Sequence, residues 1–286
     1  AITAGGSLVT PIIPPGIALI IYGLVADVSI GKMFIAGLVP GLLCAVVLMF
    51  TVYLVARKTN AKPSRESWPT GKEVVFSLGQ AWPALFLIFA VVGGIRANIF
   101  TPTEAGAAAV LIVLAIGFFI YREMRISHVV KALGETARAT ASVMLVIMAS
   151  AALGWIFSME HAGVAVANFV TSLTENKYMF LLIINILLLT LGMFLEGNAI
   201  LLILVPLLKP VVEHFGIDPV HFGIIMIFNL SIGAFTPPVG TVMLLVCNIT
   251  QVSVGNFFKQ SLPLLAALLL MLMLVTYIPA ISLFLV

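Results

Sequence analysis

The sequence predicts an all-α polytopic membrane protein, and three observations support this fold class. Hydrophobic residues make up 62% of the chain, charged residues only 9%, and the mean hydropathy is +1.23. A soluble domain carries about 25% charged residues, so this composition exceeds what a water-soluble interior can bury. Apolar stretches of about 20 residues recur, each long enough to cross about 30 Å of hydrocarbon. The alternation of a β-barrel is absent, so helices are the expected way to satisfy the backbone in lipid.

The apolar segments define the expected helices in chain order. The first five are predicted at 16–27, 33–56, 74–97, 102–121 and 139–157, with an amphipathic surface segment at 126–138 and a polar stretch from Ser158 to Lys177. Shorter apolar segments then follow at 178–191, 198–208, 220–232, 239–250 and 262–286. Several of these are too short to span alone, which is typical of discontinuous helices and re-entrant hairpins.

Two basic loops predict the orientation of the chain. Loops 57–73 and 122–138 are enriched in lysine and arginine, which favours the cytoplasmic side. The turn between them therefore lies on the far side, where Thr101 is expected to cap a helix that has Pro102 at its first position and Glu104 in its first turn. The basic residues that carry the argument are Arg57, Lys58, Lys62, Arg65, Lys72, Arg122, Arg125, Lys131 and Arg138.

Two stretches of the chain resemble each other and predict an internal repeat. Residues 6–16 read GSLVTPIIPPG, and residues 233–240 read GAFTPPVG. Each is followed by an apolar half-helix and then by a Ser-x-Gly turn, SIGKMF at 29–34 and SVGNFF at 253–258. Paired prolines interrupt a helix and leave backbone carbonyl and amide groups unpaired. At membrane depth such unpaired groups are tolerated only where they are buried within the protein or line a polar cavity. Two ordinary proline kinks are the alternative.

A third interruption precedes the second copy, where residues 191–199 read LGMFLEGNA. Two glycines, an acid and an amide here suggest the tip of a re-entrant hairpin. Glu196 is the most informative charge, because an acid within the membrane is costly and usually functional. A surface loop between two spans is the alternative interpretation.

The sequence carries few patterns that are typical of catalytic or metal-binding sites. No phosphate-binding loop, nucleophile elbow or zinc-like spacing is present in the sequence, so enzyme activity is not expected. Cys44 and Cys247 lie in apolar runs and are expected to be small packing residues. The four histidines are expected to be solvated or interfacial, and they are His128, His161, His214 and His221.

Four motifs in order give the chain a family resemblance. They are FTPTEAGAAA at 100–109, IIPP at 12–15 with IIYG at 20–23, GMFLE at 192–196 and FTPPVG at 235–240. Together they resemble the large membrane subunit (DctM or SiaM type) of the tripartite ATP-independent periplasmic (TRAP) transporters. The match covers essentially the whole chain. The chain opens at Ala1 within a structural element, so we expect a longer protein that has further N-terminal helices.

The resemblance implies sodium-coupled symport of an organic acid, such as a C4-dicarboxylate or sialic acid, by an elevator-type transport domain in the bacterial inner membrane. It implies Na⁺ as coupling ion without an organic cofactor, a small four-helix membrane subunit, separate or fused, and a periplasmic binding protein. It also divides the single membrane domain, residues 1–286, into three parts. Residues 1–56 form the first broken helix and the helix after it, residues 57–138 are mainly scaffold helices and loops, and residues 139–286 form the second repeat. Nucleic acid is not an expected partner. Two alternatives stay open, a stand-alone elevator carrier of another anion and an integral membrane enzyme.

The resemblance also implies site residues. One sodium site would use the first broken helix, and the second would lie between the 192–198 tip and the 233–240 break. The implied sodium residues are Gly6, Val9 and Pro11 in the first, and Gly192, Glu196, Gly233, Phe235, Thr236 and Pro238 in the second. Substrate would lie between the two halves near Ser7, Thr10, Asn198 and Thr236.

Overall fold

The computed structural model describes residues 2–59, 70–97, 99–160 and 162–286, which form helices joined by turns. They form two compact units, one of residues 1–56 and 146–286 and the other of residues 57–145. In chain order the helices are α1 (Ile2–Ser7), α2 (Ile17–Ala26), α3 (Ile30–Lys58), α4 (Gly71–Arg96), α5 (Pro102–Ala115) with a π-helical turn (Ile116–Ile120), α6 (Ile126–Met159), α7 (Ala162–Leu173), α8 (Lys177–Phe194), α9 (Gly197–His214), α10 (Pro219–Phe235), α11 (Thr241–Thr250), α12 (Val254–Tyr277) and α13 (Pro279–Leu283).

The predicted all-α membrane architecture is confirmed. Among the described residues, six helices are long and apolar enough to cross a membrane, or seven if the bent α4 counts as one span. The six are α3, α5 with its π-helical turn, α6, α8, α9 and α12. Three shorter apolar helices, α2, α10 and α11, accompany them.

Helix α10 lies at the centre of the first unit. Fifteen of its 17 residues are buried, and it packs against α2, α8, α9, α11, α12 and α13. A helix that is apolar on every side is surrounded either by protein or by lipid, and its burial shows that α10 is surrounded by protein. Small residues let neighbours approach closely: a Cβ on Gly223 would strike the ring of Tyr22 in α2. The Tyr22 hydroxyl in turn donates a 2.7 Å hydrogen bond to the Pro219 carbonyl at the start of α10.

Helices α8 and α9 form an antiparallel hairpin. The Lys177 ammonium at the start of α8 donates to the Gly216 carbonyl beyond the end of α9 over 3.4 Å. The rings of Phe180 and Phe215 stack there with centroids 4.7 Å apart. Each arm has 18 residues, which corresponds to about 27 Å of helix. The hairpin predicted from sequence is therefore present, while its re-entrant depth stays a prediction.

The two predicted copies have matching local structure. In each, a Pro-Pro pair is followed by a half-helix of 10 residues, α2 or α11. Each half-helix ends at a residue in the left-handed region, and a long helix with one internal proline then begins. The matched residues are Asp27 (φ 59°) with Gln251 (φ 55°), and Pro40 with Pro263.

The first break lies directly on α3. A Cβ on Gly37 would strike the Ile12 carbonyl oxygen, and one on Gly41 would lie 2.5 Å from the Ile13 side chain. Two glycines one helical turn apart therefore allow the backbone of the break to contact the backbone of α3.

The second unit contains α4 and α5, which pack together. The α4 halves before and after Pro83–Ala84 meet at 55°, as expected for a proline inside a helix. Gly94 near the end of α4 accommodates the Phe100 ring, which would lie 2.5 Å from a Cβ at that position.

The predicted helix start at Thr101 is confirmed as a capping box. The Glu104 backbone N–H donates to the Thr101 hydroxyl over 3.3 Å, and the Glu104 carboxylate accepts from the Thr101 backbone N–H over 2.8 Å. Pro102 occupies the first helical turn, where its missing N–H costs nothing.

Thr101→Ala is expected to lower the free energy of unfolding by about 0.5–2 kcal/mol, the usual contribution of an N-cap. Glu104→Gln removes only the charge and is expected to have a smaller effect. Both should leave unchanged the sodium dependence that the family resemblance implies, because their hydrogen bonds stay within the helix start. Thermal unfolding and sodium titration of both variants provide the measurement, with Thr103→Ala in the same turn as control. A shifted sodium dependence in Glu104→Gln alone would instead give Glu104 an ion-binding role.

Three sequence expectations need correction. Residues 126–138 are not a separate surface segment, because α6 runs unbroken from Ile126 to Met159 and contains no proline or glycine between Arg138 and Ser142. The polar stretch after α6 contains the additional helix α7, Ala162–Leu173. The arms of the hairpin are longer than expected, since α9 continues through Pro206 and Pro210.

The cysteine expectation is confirmed, and the histidine expectation is wrong at one position. Both cysteines are buried and free. His128 and His214 are exposed, whereas His221 is only 2% exposed and is held by hydrogen bonds within the first unit. His161 and most of the basic loop 57–73 lie outside the described residues.

Candidate functional site

The second break begins where α10 ends. Pro237 and Pro238 lack the N–H groups that would pair with the carbonyls of Gly233 and Ala234 in a continuing helix. The Gly233 carbonyl instead accepts the Thr236 backbone N–H over 3.0 Å. The Thr236 hydroxyl donates back to the Ile232 carbonyl over 2.7 Å. Thr236 therefore closes the last turn of α10, and the carbonyl oxygens of residues 233–236 lie at the break.

Two of these oxygens converge beside Gly240. A Cβ on Gly240 would lie 2.7 Å from the Thr236 carbonyl oxygen and 3.2 Å from that of Ala234. Gly240 has φ +44°, a conformation that favours glycine. Uncharged carbonyl oxygens that point to one place at a helix break are the ligands that broken helices offer to Na⁺.

The Glu196 carboxylate makes hydrogen bonds at the hairpin tip. The Glu196 carboxylate accepts the Ala199 backbone N–H over 2.9 Å and the Asn198 amide over 2.7 Å. Glu196 is thus the N-cap of α9, where a negative charge is favoured by the helix dipole. Its side chain is exposed and that of Asn198 is half-buried.

The structure brings the hairpin tip and the second break together. A Cβ on Gly233 would lie 2.6 Å from the Gly192 carbonyl carbon, so the two helix backbones touch. At the next residue of the tip, the Met193 carbonyl accepts the Gly240 backbone N–H over 3.1 Å. The ends of α8 and α10 therefore form one local cluster that contains Gly192 and Gly233 of the second predicted group, and Glu196 follows in the chain as the N-cap of α9.

Two members of this cluster differ from the rest. Phe235 is 1% exposed, and its ring packs edge-on against Phe257 with centroids 5.6 Å apart. Its side chain is therefore a packing group, and only its backbone is available to a ligand. Pro238 is exposed at the outer end of the break.

The first break is a series of tight turns. The backbone N–H groups of Val9 and Thr10 donate to the carbonyls of Gly6 and Ser7 over 3.2 and 3.3 Å. The Ser7 hydroxyl donates to the Ala4 carbonyl over 2.8 Å. The Pro11 carbonyl points at Gly16, where a Cβ would strike it. Ser7 and Thr10 are exposed, so a ligand can reach their side chains.

The predicted substrate residues come from three places in the chain: the first break, the start of α9 and the end of α10. In the described parts of the chain, no hydrogen bond joins Ser7 or Thr10 to Asn198 or Thr236. Among the described residues, no three His, Cys, Asp or Glu side chains come together in a metal-binding arrangement. The two breaks instead present backbone carbonyl and hydroxyl oxygens.

Sequence reasoning missed a buried polar cluster. Asn185 on α8 and Asn229 on α10 are 2% and 0% exposed, and their side chains are hydrogen-bonded at 2.7 Å. The signal was available, because two asparagines within apolar runs are unusual at membrane depth. Their partnership was not, since 44 residues separate them in the chain.

Comparison with known proteins now decides the family. The family model described as "Tripartite ATP-independent periplasmic transporter, DctM component" matches residues 1–281. The chain belongs to this DctM family. Family membership and the six or more apolar helices make it a multi-pass membrane protein.

Curated relatives of the DctM family agree. Over 276 residues the chain is 40% identical to the C4-dicarboxylate TRAP transporter large permease protein DctM of Pseudomonas aeruginosa, covering 95% of this chain and 63% of the relative. It is 38% identical over 288 residues to the sialic acid TRAP transporter large permease protein SiaM of Vibrio cholerae, covering 99% and 66%. The isethionate TRAP transporter permease protein DctMQ of Oleidesulfovibrio alaskensis is 38% identical over 284 residues, with coverage of 99% and 45%. The chain thus spans less than two thirds of the length of these relatives.

Proposed function

We propose that this chain is the membrane transport subunit of a sodium-coupled symporter for a small organic acid. The observation that carries the proposal is the joined cluster of hairpin tip and helix break in a member of the DctM family. Such a cluster provides fixed oxygens and helix ends without burying a net charge.

An organic acid is the proposed substrate class. The relatives are named for C4-dicarboxylate, sialic acid and isethionate, all of which are anions. An anion is favoured near the N-terminus of a helix because unpaired backbone N–H groups point at it. The N-termini of α2 and α11 follow the two breaks directly and have no side-chain cap.

Sodium is the proposed coupling ion. In the second break, the carbonyls of Ala234 and Thr236 would supply ligands beside Gly240, and the Gly192 and Gly233 backbones would hold the tip against them. In the first break, the carbonyls around Gly6, Val9 and Pro11 would act in the same way. Glu196 would act by capping α9 and fixing the tip.

The proposed assembly includes a small four-helix membrane subunit, separate or fused, and a periplasmic binding protein that delivers the substrate. The proposed location is the bacterial inner membrane. Movement is proposed to follow the elevator scheme, in which the first unit carries the cluster and the second unit contributes scaffold.

The complete transporter, reconstituted in liposomes with its small subunit, tests the proposal. Uptake of labelled C4-dicarboxylate, sialic acid and isethionate is measured with the binding protein outside and an inward sodium gradient. We expect uptake of one acid that requires both sodium and binding protein. An equal potassium gradient is the control.

Uptake that a proton gradient drives equally well without sodium would contradict sodium coupling. Uptake that does not need the binding protein would favour a stand-alone carrier. Chemical conversion of the acid without its accumulation would identify an enzyme.

A further inference from the structure

A continuous set of buried hydrogen bonds runs through the centre of the first unit. The Asn229 amide donates to the Asn185 side-chain oxygen over 2.7 Å and to the Asn185 backbone oxygen over 2.9 Å. The Asn185 amide donates to the Thr276 hydroxyl over 3.0 Å. These bonds join α10 to α8 and α8 to α12. We call Asn185, Asn229 and Thr276 the asparagine cluster.

His221 extends this set toward the base of the unit. Its Nε2 lies 3.3 Å from the Thr276 carbonyl, which can only accept, so Nε2 carries the proton. Its Nδ1 then accepts from the Ser282 hydroxyl at 3.2 Å. The end of α12 and the short α13 are thereby fixed to the first turn of α10.

The asparagine cluster includes a buried hydrogen-bond acceptor, the Asn229 Oδ1 atom. The Asn229 Oδ1 atom is buried, and among the described residues it has no hydrogen-bond partner. The Asn229 amide nitrogen makes both of its hydrogen bonds to Asn185, so the orientation of this side chain is set by α8. The Asn229 amide nitrogen, which makes these hydrogen bonds, faces α8, the hairpin arm that leads to the tip.

The position of the cluster on both helices connects it to the candidate site. Gly192 follows Asn185 by two helical turns on α8, and Gly233 follows Asn229 by one turn on α10. The contact of Gly192 with Gly233 and the bond from Gly240 N–H to Met193 O lie immediately beyond. A change in register at the asparagines would therefore displace the backbone oxygens of the tip relative to the break.

We propose that Asn229 and Asn185 are positioning residues for ion coupling: their paired side chains set the register of α8 against α10 and so hold the Met193 and Gly240 backbones at bonding distance. This deepens the proposed function and rests on it. Neither side chain needs to touch the ion or the substrate. The asparagines act through Gly192, Met193 and Gly233.

The test uses the complete reconstituted transporter with Asn229→Ala, Asn185→Ala and the double variant. Each single change is expected to raise the sodium concentration for half-maximal uptake by about three- to twentyfold, the effect of one or two membrane-buried hydrogen bonds. The double variant is expected to match the larger single effect, because both changes break the same link. Maximal uptake at saturating sodium should fall less than twofold, roughly, since the oxygens themselves remain.

A second readout does not depend on transport. Hydrogen exchange of the peptide that contains Gly240 should be faster in the asparagine variants, because its amide bonds to Met193 only in the native register. Ser231→Ala is the matched control. Ser231 is also buried on α10, but its hydroxyl bonds within its own helix to the Ile227 carbonyl over 2.7 Å. Both readouts should be unchanged in Ser231→Ala.

Thr276→Val removes the hydroxyl that accepts from the Asn185 amide but keeps the shape of the side chain. This variant tests the proposal if the alanine variants do not fold. It should raise the half-maximal sodium concentration about two- to fivefold. Unchanged sodium dependence together with unchanged exchange at Gly240 in the folded variants would overturn the proposal, as would fully additive effects. A wild-type transporter without sodium dependence would refute the proposed function instead, and exchange at Gly240 would still test the positioning role.

Discussion

Gly233→Ala is expected to reduce uptake by about tenfold or more, because overpacking at a tight contact costs about 1–3 kcal/mol and here no side chain can yield. The new Cβ would lie 2.6 Å from the Gly192 carbonyl carbon and 2.7 Å from its Cα. Both atoms are backbone, so α8 and α10 must separate. That separation would break the bond from Gly240 N–H to Met193 O. Uptake rate and the protein's elution as a single species in detergent provide the measurement.

Two further glycine-to-alanine variants are expected to reduce uptake less than Gly233→Ala does. Gly192→Ala would place its Cβ 3.3 Å from the Gly233 Cα, a tight contact that a shift of a few tenths of an ångström relieves. Its effect should lie between that of Gly233→Ala and wild type. Gly255→Ala on α12 has open space around it and should transport normally. If Gly233→Ala transports as well as Gly255→Ala, the backbone contact between tip and break has no functional role.

The repeat was predictable because its signals are local. Proline and glycine restrict or release the backbone wherever they occur, so the breaks at Pro14 and Pro237 and the half-helices after them follow from short motifs. The same holds for the capping box at Thr101, which needs only four consecutive residues. Each element has the structure that its own few residues favour.

The longer reach of the hairpin was not predictable in this way. The sequence predicted a second arm over residues 198–208, but α9 continues through Pro206 and Pro210 to His214. Its buried side chains pack against α2, α7 and α10, and this packing outweighs the loss of two backbone hydrogen bonds. Tertiary contacts of this kind join residues far apart in the chain.

The candidate site also combines features that local motifs predict with contacts that only the tertiary structure shows. The identity of Gly233 and Thr236 as break residues came from the motif, whereas their contact with the tip depends on the parallel packing of α8 and α10. The asparagine cluster was missed for this reason, since neither Asn185 nor Asn229 belongs to a motif. His221 was expected to be solvated or interfacial because α13, whose Ser282 hydroxyl contacts it, carries no distinctive signal of its own.

Replacement of Pro237 and Pro238 together by alanine is expected to abolish sodium-driven uptake while the protein still inserts and folds. The two new backbone N–H groups can pair with the carbonyls of Gly233 and Ala234, so α10 would extend through the break. Regaining two helical hydrogen bonds and removing two helix-interrupting prolines favours this extension by about 3 kcal/mol or more. The carbonyl of Ala234 would then no longer point toward Gly240.

The same pair of changes at Pro14 and Pro15 is expected to have the same effect, because the two new backbone N–H groups can pair with the carbonyls of Thr10 and Pro11, and Pro11 is one of the proposed sodium residues. Pro263→Ala is the control: this proline lies inside α12, which already continues through it, so no carbonyl of a break is withdrawn. Sodium titration of uptake and circular dichroism of the purified variants provide the measurement, with helix content expected to rise slightly in the two double variants. Side-chain truncation is a weaker test, since backbone ligands survive it. If both double variants fold and transport with the sodium dependence of wild type, the breaks are only kinks, and the oxygen ligands must be sought elsewhere in the chain.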